Sequence, residues 1–147
     1  MHQAFMREAL GLADEAGSAG EVPVGAVVVL DGQVVGRGYN RPISTSDPTA
    51  HAEIVALRDA GQRVGSYRLA GAELYVTVEP CAMCAGAMMH ARIATLIYGA
   101  PELRTGAIES AMRMQDQPAF NHRVTVVSGV LAAECRAKLQ AFFRERR

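Results

Sequence analysis

His51 and Glu53 stand two apart in TAHAEIVAL, residues 49–57, and Cys81 and Cys84 stand three apart in VTVEPCAMCAGAMMH, residues 76–90. Thiolates and imidazoles are the ligands zinc prefers, and a tetrahedral ion needs four. At positions i and i+3 of a helix start, the two sulfurs face the same way. The positive end of that helix favours thiolate over thiol. His51 offers a nitrogen from a second helix start, so two sulfurs and one nitrogen leave one position of the zinc open. An open position separates a catalytic zinc from a structural one. On a regular helix Glu53 points about 200° away from His51, so both can serve one site only if the metal lies off the helix end. A carboxylate there acts as general base and then proton donor for water, whose pKa zinc lowers to roughly 7.

The surrounding pattern predicts the elements that must hold these groups. Residues 3 to 16 have helical spacing, with Ala4, Phe5, Ala9, Leu12 and Ala13 as the apolar positions and Gly17 as the stop. VGAVVVL and QVVGRGY, joined by Asp31-Gly32, give a two-residue hairpin. NRPISTSDP is a loop of turn residues. A helix is expected from near Ala50 to about Ala60, ended by Gly61. AELYVTV is a strand, CAMCAGAMMHA a small-residue helix, ATLIYGA a strand and RVTVVSG a short strand. LAAECRAKLQAFFRER closes the chain as an amphipathic helix with Leu131, Cys135, Leu139, Phe142 and Phe143 on its apolar side. A hairpin followed by βα units implies one mixed α/β sheet with helices on both faces. Both polar clusters follow strands at helix starts, so both belong to one rim.

The chain has 147 residues, half of them hydrophobic, which suits a single domain over residues 1–147. No apolar run is long enough to span a bilayer, and an acidic, helical N-terminus is neither a secretory signal nor a transit peptide. A cytoplasmic location with no membrane partner is the expectation. Net charge is zero, from 15 basic and 15 acidic residues. Nothing global therefore advertises a polyanionic partner, although residues 134–147 carry three more basic than acidic side chains. Three cysteines are too few for a disulfide framework. Cys135 reads as a small buried hydrophobe. His90 and His122 lack a ligand-spaced partner and read as structural or as facing a binding partner. Met83, Met88 and Met89 read as packing a core or an interface.

Neither C-x-x-C nor H-x-E is specific alone. Together, with Pro80 before Cys81, they form H-x-E…P-C-x-x-C, the known signature of zinc nucleobase deaminases. VPVGAVVV, GYNRP, DPTAHAEIVALR, YRLAGAELYVTVEPCAMCAGAMMHARI, RTGA and NHRV carry a closer resemblance, from about residue 5 to the C-terminus, to the bacterial tRNA-specific adenosine deaminases. That resemblance implies a cytidine deaminase-like three-layer α/β/α fold with a mixed five-stranded sheet. It implies hydrolysis of the wobble adenosine, tRNA position 34, of arginine tRNA to inosine by a homodimer holding one Zn2+ per subunit. His51, Cys81 and Cys84 match the family's zinc ligands and Glu53 its proton shuttle. Asn40 matches a side chain that bonds the flipped base, and Val24 a wall of its pocket. Taken by itself, Asn40 reads equally well as a turn residue before Arg41-Pro42. The tail would meet the anticodon stem-loop through Arg144, Arg146 and Arg147, with Phe142 or Phe143 packing or stacking, although both phenylalanines also suit a core. The 102–110 loop departs from the family pattern: Glu102 replaces Asp, and Ile108-Glu109 replaces two small residues.

Two rivals share parts of this pattern. A deaminase of a free base or nucleoside would use the same metal and carboxylate. A zinc-folded RNA-binding subunit would have no use for Glu53.

Overall fold

Asp31 and Gly32 both take positive φ, 52° and 75°, and form the two-residue turn between β1 (Gly25–Leu30) and β2 (Gln33–Tyr39). This turn matches the twist of a hairpin. The computed structural model describes residues 2–146. Helix α1 (His2–Ser18) precedes the hairpin. After it come α2 (Pro42–Thr45), α3 (Ala52–Val64), β3 (Glu73–Val78), α4 (Ala82–His90) and β4 (Thr95–Ala100). Two 3-10 turns lead to β5 (Thr125–Val127) and α5 (Ala132–Glu145).

The five strands form one sheet in the order β2-β1-β3-β4-β5. β1 is antiparallel to β2 and β3, while β3, β4 and β5 are parallel. The mixed five-stranded sheet predicted from the sequence is borne out. In β1, Ala26 and Val28 face α3 and α4, whereas Val27 and Val29 face α1 and α5. Both faces are covered, so the central strands are apolar throughout rather than alternating. β2 carries Gly38, where a Cβ would collide with the Ala52 carbonyl. Only a bare backbone lets the start of α3 lie directly on the sheet.

Four expectations need correction. α3 continues through Gly61 to Val64 and ends at Gly65, whose φ of 79° and N–H hydrogen bond to the Gly61 carbonyl close the helix. A left-handed residue, rather than the first glycine, terminates it. α1 runs past Gly17, and its buried face is Met6, Ala9, Leu10, Ala13 and Ala16. Ala4 is exposed because a helical period running through Met6 leaves it on the outer side. The turn-rich segment after Asn40 holds one helical turn, α2, that starts on Pro42. On α5, Cys135 is buried but Phe143 is 49% exposed, at the edge of the apolar side rather than within it.

Candidate metal centre and catalytic cleft

α3 and α4 begin on the rim where β2 and β3 end. His51 is the residue before α3 and Cys81 the residue before α4, and both have extended backbone, with ψ of 155° and 178°. This conformation turns each side chain off the helix end rather than along its flank. His51 Nδ1 lies 3.5 Å from Cys81 Sγ and 3.6 Å from Cys84 Sγ. The three ligand atoms all lie within 4.8 Å of one another. Zinc bonds of about 2.3 Å to sulfur and about 2.0 Å to nitrogen, at a tetrahedral angle, put sulfur and nitrogen about 3.5 Å apart. The residues fit the ion.

Their electrostatics fit it as well. A hydrogen bond from Cys84, and then one from His51, outweigh burial and lower the Cys81 thiol to about 3. Cys84 shifts upward because it donates to Cys81 and is buried. The pair readily carries one negative charge and resists the second, which a divalent cation would neutralise. His51 is raised, chiefly by its bond to Cys81.

Glu53 is the second residue of α3 and only 4% exposed. Burial, against the opposing pull of backbone, His51 and Cys84 contacts, raises its carboxyl to about 7. A carboxyl tuned near neutrality can both take and give a proton. Asn40 closes the same corner: its Oδ1 accepts the Ala52 amide at 2.8 Å, and its backbone N–H donates to the Val24 carbonyl at 3.1 Å. His51, Glu53, Cys81, Cys84, Asn40 and Val24 therefore gather on one rim.

The tail residues lie outside that cluster. α1 and α5 run side by side, tied by Arg7–Glu134 at 3.2 Å and Lys138–Asp14 at 2.7 Å. This brings Phe142 and Arg146 to a groove they share with Gly17, Ser18 and Pro23. The Arg146 guanidinium lies 3.6 Å above the Phe142 ring. Arg144 is exposed, and Arg147 falls outside the described residues. His90 is exposed at the surface, and the His122 ring contacts the Ile93 carbonyl at 2.8 Å. Met88 and Met89 are core, whereas Met83 is 37% exposed.

Two further carboxylates escaped the reading of the sequence. Glu21, 1% exposed, accepts the amides of Ile43 and Ser44 and the Ser44 hydroxyl. Glu79, 3% exposed, accepts amides from the 102–110 loop. Each braces a loop of the cleft rim. Their signal lies in GEVPV and VTVEPC: a buried acid beside an apolar strand must find several donors.

Residues 1–100 match the model of the cytidine and deoxycytidylate deaminase zinc-binding region. The chain belongs to the cytidine and deoxycytidylate deaminase family. The deaminase is a zinc-dependent hydrolase whose His51, Cys81 and Cys84 could hold one zinc ion. It is 53% identical to the tRNA-specific adenosine deaminase of Haemophilus influenzae over 97% of this chain and 83% of that one. A solved structure from studies of A-to-I editing by tRNA:A34 deaminases is 48% identical, with a TM-score of 0.90, over 92% of this chain and 99% of that one. The guanine deaminase of Bacillus subtilis is 42% identical, with a TM-score of 0.66, over 69% of this chain and 65% of that one. Among the described residues no helix is long and apolar enough to cross a membrane.

Proposed function

We propose that this deaminase hydrolyses the wobble adenosine of a tRNA anticodon, position 34 of arginine tRNA, to inosine. The observation that carries this reading is the closeness of the likeness. The tRNA-specific adenosine deaminase of Haemophilus influenzae is 53% identical over 97% of the chain, whereas guanine deaminases are 42% identical over only 69% of it or 25% identical over 95%. In the reaction a C–O bond forms at C6 of the purine, the C6–N bond breaks, and ammonia leaves. Bound zinc, held by His51, Cys81 and Cys84, would supply a Lewis acid that acidifies water to a pKa of roughly 7. Glu53 takes the proton from water and delivers it to the leaving amine. Asn40 spends its Oδ1 on Ala52, which leaves Nδ2 as the donor that reads the base edge. Val24 forms an apolar wall for a base drawn out of its stack.

Arg144, Arg146 and Arg147 meet phosphates of the anticodon stem-loop, Arg146 from the groove it shares with Phe142. The tRNA substrate puts the reaction in the cytoplasm. The enzyme works as a homodimer, for which an apolar groove between α3 and α4, with Tyr67 73% exposed at its edge, offers a surface.

The deciding assay offers the zinc-loaded enzyme anticodon stem-loop RNA, adenosine, cytidine and guanine. Sequencing of arginine tRNA and of other tRNAs after incubation should find adenosine read as guanosine at the wobble position of the former. Turnover of a free base without turnover of RNA would overturn the assignment.

A further inference from the structure

Ile108 and Glu109 of the 102–110 loop both have partners in the fold. Ile108 is fully buried in the core beneath α4. Glu109 is exposed at the rim, and its carboxylate accepts a short hydrogen bond from the hydroxyl of Tyr98, itself 3% exposed on β4. From beneath, the Glu79 carboxylate accepts the amides of Glu102, Ile108, Glu109 and Ser110 at 2.7 to 3.1 Å. Gly106 passes so close that a Cβ would collide with the Glu79 carboxyl group. The Ala107 amide donates to the Pro80 carbonyl at 2.8 Å. The loop is thus bonded to Glu79-Pro80, the residues that lead into the ligand Cys81. Its tip, Leu103-Arg104-Thr105, stays exposed, with Leu103 77% accessible.

Glu79 holds the loop's backbone from inside by accepting its amides. The Tyr98 hydroxyl adds a side-chain tie from β4 by donating to Glu109. Burial shifts the Tyr98 phenol upward, so it keeps its proton.

We propose that Tyr98 and Glu109 are positioning residues: their hydrogen bond latches the 102–110 loop into a rigid wall that presents Leu103-Arg104-Thr105 to the RNA substrate. The latch serves substrate binding and leaves the metal centre and the proton transfer alone. Its substrate half rests on the proposed RNA activity; its structural half does not.

The test compares Tyr98→Phe, Glu109→Ala and Glu109→Gln with the parent, each loaded with zinc. Trypsin cleavage after Arg104, mapped by mass spectrometry, reads the order of the loop. Tyr98→Phe and Glu109→Ala should be cut faster, and their KM for anticodon stem-loop RNA should rise about five-fold, the scale of a single hydrogen bond. Their kcat and zinc content should match the parent. Glu109→Gln keeps an acceptor for the Tyr98 hydroxyl and should stay near the parent in both readouts. Cleavage at the parental rate in Tyr98→Phe and Glu109→Ala would overturn the latch, as would faster cleavage with unchanged KM, or loss of zinc. A Glu109→Gln variant as loose as Glu109→Ala would overturn it too, because charge rather than the hydrogen bond would then be responsible. A parent inactive on RNA refutes the RNA reading instead, and the cleavage rates alone then decide the latch.

Discussion

The Asn40 side chain holds the Ala52 amide at 2.8 Å, twelve residues along the chain. Ala52 opens α3 between His51 and Glu53, and no side chain of α3 itself caps that end. Asn40 therefore supplies from β2's edge what an N-cap residue normally supplies locally. Asn40→Asp keeps the acceptor at a helix N-terminus, where an anion is favoured, yet deletes the Nδ2 donor. Its melting temperature should stay near the parent's while KM for RNA rises. Asn40→Ala should lose both functions, with about 1 kcal/mol of stability. Equal melting losses in the two variants would contradict the cap.

Glu53 and Cys84 should separate chemistry from metal binding. Glu53→Ala leaves all three ligand atoms in place, so zinc content should hold while single-turnover deamination falls about a hundred- to ten-thousand-fold. Cys84→Ala breaks the ligand set, and zinc and thermal stability should fall together because binding energy is folding energy. Chelation of the parent should reproduce that second result. Parental turnover in Glu53→Ala would mean that another group moves the proton.

On the tail, Arg144→Ala with Arg146→Ala should weaken stem-loop binding and leave kcat unchanged. Each arginine–phosphate pairing removed reduces the slope of log K against log salt by about 0.7 for a single strand. Titrations at several salt concentrations give the slope directly. An unchanged slope would remove the tail from the RNA interface.

Glu21 gives the fold an acid-sensitive point away from the ligands. Burial pushes its carboxyl up, but the Ser44 hydroxyl and amide, the Ile43 amide and the Arg41 charge together hold it below its ordinary 4.5. Its contribution is therefore complete above that value and disappears as pH falls through the lower folded one. Glu21→Gln should melt earlier than the parent near neutral pH, and the gap should close as acidification carries the pH below 4.5 and through the lower folded value. A gap that did not change with pH would show that the charge of Glu21 contributes nothing.

Gly61 and Gly65 should respond in opposite ways to alanine. At Gly61, inside α3, a Cβ meets only the Ser66 carbonyl at 3.4 Å, so alanine should stabilise by about 0.5–1 kcal/mol. At Gly65, with φ of 79°, alanine should destabilise by about 1 kcal/mol. Thermal melts of both variants test the assignment of the helix end.

The sequence by itself determined the order of the elements apart from α2, the mixed sheet and the grouping of His51, Cys81 and Cys84 as residues that could hold a metal, with Glu53 beside them. Those features are local: hydrophobic period, turn chemistry and ligand spacing are all written within short segments. Helix ends were less legible. Gly61 and Gly65 are both plausible stops, and φ is decided by how the chain leaves the helix. Side-chain pairs distant in the chain belong to the tertiary structure alone. Tyr98 meets Glu109, Asn40 meets Ala52, and Glu79 meets the amides of residues 102–110 only once the strands are in register. A buried carboxylate requires donors, but nothing in its own segment says which loop will bring them.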